Sequence, residues 1–127
     1  MQGKHLFEYA VIRVVPRVER EEFLNVGVVL FCKQQRYLKT AFHLDAERLK
    51  ILFPLTDTDE VTSYLHAFEK ISQGAKDGGP IAKLDLPSRF RWLTATRSTV
   101  IQASRIHPGI CADLDEALEK LYRQLVG

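Results

Sequence analysis

Four arginines, Arg89, Arg91, Arg97 and Arg105, fall within residues 86–112, a stretch with no acid at all. The planar guanidinium fork matches phosphate and carboxylate oxygens two at a time. Thr94, Ser98 and Thr99 set hydroxyl donors among these cations. Phe90 and Trp92 interleave with them, as aromatic rings do where single-stranded nucleic acid stacks. The same two rings also suit core anchors. A charge of +4 is small beside the basic stripe of a nucleic-acid-binding domain, and the sequence pI of about 8.6 falls short of that profile. The segment therefore points to a small anion or acidic protein surface, to nucleic acid, or to a solvated face with internal ion pairs.

Other chemistry is sparse. His107 and Cys111 lie four apart, but Pro108-Gly109 between them reads as a turn rather than a helix face. No second Cys/His pair stands near them, so a zinc site is not expected. Cys111 sits between Ile110 and Ala112, the setting of a buried thiol rather than a nucleophile. Glu21-Glu22 neighbours Arg20. Asp113 and Asp115 suit a helix start, where acids are favourable for the dipole. There is no P-loop and no GxGxxG. Neither a catalytic constellation nor a cofactor is expected.

These residues must be positioned by a small frame. The chain has 127 residues, 46% of them hydrophobic and 27% charged, which fits one domain with a real core. The net charge of +2 is uneven. Residues 1–85 balance, residues 86–112 carry the arginines, and residues 113–127 hold four acids against two bases. The longest apolar run, Val26 to Cys32, is far short of the roughly 20 residues of a membrane span. Met1 to His5 lacks a signal peptide's apolar region. With two cysteines and no export signal, the expectation is a cytoplasmic protein with reduced thiols.

Three strands are expected within residues 6–44. Phe7 to Val15 places Phe7, Tyr9, Val11 and Arg13 on one face and Ala10, Ile12 and Val14 on the other. Phe23 to Cys32 is apolar on both faces, as a central covered strand should be. Lys33-Gln34-Gln35-Arg36 reads as a hairpin loop before Tyr37 to Leu44. Helices are expected over residues 45–74. Asp45 caps a stripe of Ala46, Leu49, Leu52 and Phe53 that Pro54 stops. A second stripe, Val61, Tyr64, Leu65, Phe68 and Ile71, starts near Thr56 to Thr58 and ends at Gly74. Ser88 to Ala95 suits a short helix and Thr99 to Ala103 a short strand. Ile106 to Gly109 suits a turn. Residues 113–126 form the clearest helix, with Asp113-x-x-Glu116 at its start. The fold class expected is α+β: a mainly antiparallel sheet of three to five strands against two to four helices, in a single domain.

Several stretches resemble one family. They are Tyr9-Ala10-Val11-Ile12-Arg13-Val14-Val15-Pro16, Glu22-Phe23-Leu24-Asn25-Val26-Gly27-Val28-Val29-Leu30, the run from Arg89 to Gln102, and His107 to Asp113. Together they resemble the bacterial family labelled DUF3037, a domain of unknown function, from about residue 6 to residue 124. The resemblance implies no activity. It suggests an accessory role beside kinases of the HipA type. The family's polar motif residues fall here on Arg13, Glu22, Asn25, Gly27, Arg89, Thr94, Arg97, Ser98, Gln102 and His107.

Arg13, in an apolar strand, needs a partner. An ion pair with Glu22 is the expectation, and an anion at the sheet edge the alternative. Asn25 and Gly27, two apart, should share a face, with the glycine at a bulge or a close approach. The preferred reading is a non-catalytic module that binds another protein, such as a HipA-type kinase. The alternative is a phosphate- or RNA-binding protein, a phosphodiesterase-like one among them. In it Arg13, Asn25, Arg89, Arg97, Ser98, Gln102 and His107 would be the anion-binding set.

Overall fold

The computed structural model describes residues 4–15, 22–95 and 100–126. Arg97 and Ser98 lie outside these residues. Strand β1 runs His5–Val14, β2 Leu24–Cys32 and β3 Tyr37–Phe42. Helix α1 spans Ala46–Leu52 and α2 Thr58–Gln73. A 3-10 turn at Ile81–Lys83 leads to α3, Leu86–Thr94. Strands β4, Ile101–Ala103, and β5, His107–Cys111, precede α4, Leu114–Leu125. All pairings are antiparallel, in the order β3-β2-β1, with β4 and β5 both on the far edge of β1. This is a small α+β domain.

Two layers of helix sandwich the sheet. Alternation in β1 sends Ala10, Ile12 and Val14 to one face, where they pack with Leu49 of α1, Val61, Leu65 and Phe68 of α2, and Phe90 and Leu93 of α3. Phe7, Val28, Leu30 and Cys32 turn to the other face and meet Leu114 and Leu118 of α4. Strand β2 is covered on both sides, which is why its sequence is apolar on both. Each buried Leu or Phe contributes about 1.5–3 kcal/mol by leaving water.

The helix starts are set by aspartates. Asp45, Asp57, Asp85 and Asp113 each accept backbone N–H donors from the first turn of the helix that follows. Asp57 therefore caps α2, within the Thr56–Thr58 window, and α3 starts two residues earlier than its stripe suggests. In α1 only Leu49 is buried, and Leu52 is half exposed.

Ile106 to Gly109 is not a turn. His107 to Cys111 pairs with His5 to Tyr9 as an edge strand. Pro108 is tolerated there because an edge strand has no outer partner for it to disappoint. Gly109, opposite Phe7, leaves the space that the Phe7 ring fills. Between β4 and β5, Ser104, Arg105 and Ile106 face only Ala10 and Val11, so the edge bulges by one residue.

A second bulge lies in β2. Ile12 pairs with Gly27 but Arg13 with Asn25, which leaves Val26 as the extra residue. Asn25 and Gly27 consequently do not share a face. Asn25 turns to α4 and donates from Nδ2 to the Leu125 carbonyl at 3.2 Å. A Cβ on Gly27 would stand 2.6 Å from the Ala41 carbonyl oxygen and 3.1 Å from Ile12 Cδ1 on the opposite side. Gly27 therefore serves close strand packing, one of the two roles expected of it, rather than ligand space.

Candidate functional site

Arg89 leads the basic segment, and its surroundings decide its role. It projects from the first turn of α3 toward the end of α2. Nη1 donates to the carbonyls of Ile71 at 3.2 Å and Ser72 at 3.3 Å. The Ile71 carbonyl already accepts the Gly74 N–H at 3.1 Å, whereas the Ser72 carbonyl is one that a helix end leaves without an intrahelical donor, and a cation there also meets the negative end of the dipole. Helix α2 turns off at Gly74, whose φ of 66° is left-handed. Arg89 is 9% exposed, and its Nε is buried without a partner. Much of its fork is thus committed to joining two helices.

The rest of the basic segment does not gather around it. Arg91 is exposed on α3. The Thr94 hydroxyl donates back to the Phe90 carbonyl at 2.8 Å, inside its own helix. Phe90 is core, stacked on Phe31 at 4.9 Å between centroids, and Trp92 packs against the same core. The Phe90 ring is therefore not presented for base stacking. The acids of α4 also pair elsewhere among the described residues. Asp115 meets Lys39 at 3.0 Å, and Glu119 meets Arg123 at 3.7 Å.

Arg13, Asn25 and Gln102 do come together, on the α4 side of the sheet. Arg13 is cross-strand neighbour to both of the others. The expected ion pair with Glu22 is replaced. The Arg13 guanidinium carbon lies 4.2 Å from the centroid of the half-exposed Phe23 ring, a cation–π contact. Arg13 Nε and Asn25 Oδ1 are both buried without a partner. His107 lies further along the same face, its ring 5.3 Å from that of Tyr9 and opposite it in register. Arg89 stands across the sheet from all of these. The anion-binding set is therefore split between two faces, so far as it is described.

The thiols are poorly placed for chemistry. Cys32 and Cys111 both turn toward α4, but β1 runs between their strands. Two strand spacings put their backbones about 9–10 Å apart, beyond disulfide reach. Burial pushes the Cys111 thiol above its ordinary pKa, away from thiolate. Among the described residues no three His, Cys, Asp or Glu side chains gather as a metal site. Also among them, no helix is long and apolar enough to cross a membrane.

Two concavities remain. The first is a half-open groove of about 510 Å³ beside the α1–α2 connection and Val100 of the β4 edge. Leu52, Phe53, Pro54, Leu55 and Val61 supply its apolar lining, and its acids are Glu22, Asp57 and Glu60. Leu55 is 91% exposed and Leu52 50%. The second, about 620 Å³, lies between the β2–β3 loop and the start of α3, with Lys33, Arg36 and Arg89 in its lining. Sequence reasoning missed both. For the groove a signal existed in Leu52 and Leu55 flanking Pro54, where no helical stripe can continue. For the cleft no local signal exists, because Arg36 and Arg89 are 53 positions apart.

No curated protein and no solved structure matches the chain. The family described as "Protein of unknown function (DUF3037)" matches residues 9–126, nearly the whole length. The match runs from Tyr9 in β1 through α4, so it takes in both helix layers and all of the sheet but the first four residues of β1. The chain belongs to the DUF3037 family.

Proposed function

We propose that this chain is a non-catalytic interaction module that takes an apolar, basic segment of a partner protein into the groove beside the α1–α2 connection. One observation carries this reading. Leu55, almost fully exposed, stands with Leu52 at a groove whose charged lining, among the described residues, is Glu22, Asp57 and Glu60. Exposed Leu side chains lining one concavity mark interaction surfaces rather than ordinary solvated surface. The acidic rim selects a partner carrying Lys or Arg beside its apolar anchors. A kinase of the HipA type, suggested by the family resemblance, is the first partner to test, and the cytoplasm is the compartment that suits two unbridged thiols.

The test is titration of a HipA-type kinase against the purified chain by calorimetry, with Leu55→Asp and Leu52→Asp beside wild type. Saturable binding that weakens at least tenfold in the variants supports the module. Absence of binding, or equal binding by the variants, overturns it. Circular dichroism on each variant separates lost binding from lost folding.

A further inference from the structure

The second concavity has a different chemistry from the groove. Three cations line it, Lys33, Arg36 and Arg89, against one acid, Asp85. That acid is already engaged, accepting from the Ser88 N–H at 2.9 Å as the cap of α3. Among the described residues, no carboxylate lies within ion-pair distance of Lys33 or Arg36. The cleft therefore carries uncompensated positive charge between low-dielectric walls, which concentrates anions. Phe31, Leu86 and Pro87 give it an apolar side.

Two features make this more than a chance patch of surface cations. Arg89 is buried to 9% exposure and held by two α2 carbonyls, which fixes its charge in the cleft wall. Arg36 has φ of 50°, and among the described non-glycine residues no other has a positive φ. An Arg in the left-handed region is disfavoured relative to Gly or Asn, the ordinary residues at such a loop position. Backbone strain of this kind collects where a side chain is needed in place.

We propose that this cleft binds a small phosphate monoester with an apolar body. The phosphate is held by Lys33, Arg36 and the edge of Arg89, and the body rests on Phe31, Leu86 and Pro87. A volume of about 620 Å³ falls in the size range of small-molecule sites. The site is on the face opposite Arg13, Gln102 and His107, and it does not depend on the groove of the interaction module.

The test is a 1H–15N NMR titration with adenosine 5′-monophosphate, inorganic phosphate and adenosine at constant ionic strength. With the monophosphate, shifts confined to residues 31–36 and 85–89 are expected. Inorganic phosphate should move the same residues more weakly, and adenosine should leave 33–36 unmoved. The Lys33→Gln/Arg36→Gln double variant should weaken the monophosphate at least tenfold. Asp85→Asn, which keeps a capping oxygen and removes the one opposing charge, should tighten it about threefold. Shifts scattered over the surface overturn the proposal. So does equal affinity in the double variant, or weaker binding by Asp85→Asn in a folded protein.

Discussion

Gly74 and Arg89 form one joint. The glycine ends α2 in a left-handed turn, and the arginine occupies the space a side chain there would need. The guanidinium then donates to the Ser72 carbonyl that the turn leaves open and adds a second donor to the Ile71 carbonyl, which the Gly74 N–H already serves. Gly74→Ala should cost about 2 kcal/mol, from left-handed strain of about 1–2 kcal/mol plus crowding of Arg89. Arg89→Met should cost about 2–3 kcal/mol, because two charge-assisted hydrogen bonds are lost and the Ser72 carbonyl is left without its donor. The two changes break the same contact, so the double variant should lose clearly less than the sum. Urea unfolding of the four proteins measures this. Strictly additive losses would show that the two residues act separately.

Ser104 repairs the edge bulge with its side chain. Its N–H donates to the Val11 carbonyl at 2.8 Å. Its hydroxyl oxygen accepts from the Val11 N–H at 2.8 Å and donates to the Arg105 carbonyl at 2.9 Å. Residues 104–106 cannot keep the ladder in step, so the hydroxyl replaces a missing backbone acceptor. Ser104→Ala should cost about 1–3 kcal/mol, the penalty of a buried N–H left unmade. The Val11 amide should then exchange with deuterium much faster, relative to global unfolding, than in wild type. Unchanged Val11 protection would mean another group accepts its proton.

How much of this could be read from residues alone depended on range. Helix α4 was legible because everything that makes it is local: the Asp113 cap and Leu114, Leu118 and Leu121 one turn apart. The strands were legible from alternation, and the antiparallel α+β class followed. Strand β5 was not, because Pro108 and Gly109 signal a turn unless the strand is known to lie at an edge. The β2 bulge was hidden for another reason. With valines on both sides of Gly27, a change of parity leaves no trace in the hydrophobic pattern. Arg89 looked like a ligand arginine because the carbonyls it serves belong to another helix. The cleft it shares with Lys33 and Arg36 exists only once α3 has packed beside the β2–β3 loop.

Tyr37, Lys39 and Asp115 tie β3 to α4, and the tie should respond to pH at both ends. The Tyr37 hydroxyl donates to Asp115 Oδ1 at 2.7 Å, and Lys39 Nζ meets the same oxygen at 3.0 Å. The hydrogen bonds from Tyr37 and Lys39 hold the Asp115 carboxyl below its usual range. Burial, then Asp115 itself, pushes the Tyr37 phenol well above its ordinary value of about 10. A depressed carboxylate contributes stability above its unfolded pKa of about 3.9 and loses it as pH falls through the folded value. A raised phenol contributes fully below about pH 10 and loses its contribution as pH rises further. The stability difference between wild type and Asp115→Asn should therefore be largest on a plateau between roughly pH 5 and 9 and shrink on both sides. Exposure of Asp115 and Lys39 keeps the effect small. A difference independent of pH would mean that the carboxylate's charge plays no part.

Arg36 sets stability against binding. Its left-handed backbone costs roughly 1 kcal/mol that glycine would not incur. Arg36→Gly should thus raise the urea midpoint without changing the slope of the transition, the signature of a gain in stability alone. The same change removes one of the three cations that line the cleft, so affinity for adenosine 5′-monophosphate should fall. Lys33→Gln provides the control, since Lys33 has no positive φ to relieve: affinity should fall with stability nearly unchanged. If Arg36→Gly gains stability and keeps its affinity, the strained arginine is an accident of the loop. If it loses affinity as it gains stability, the strain is held in place by what the side chain binds.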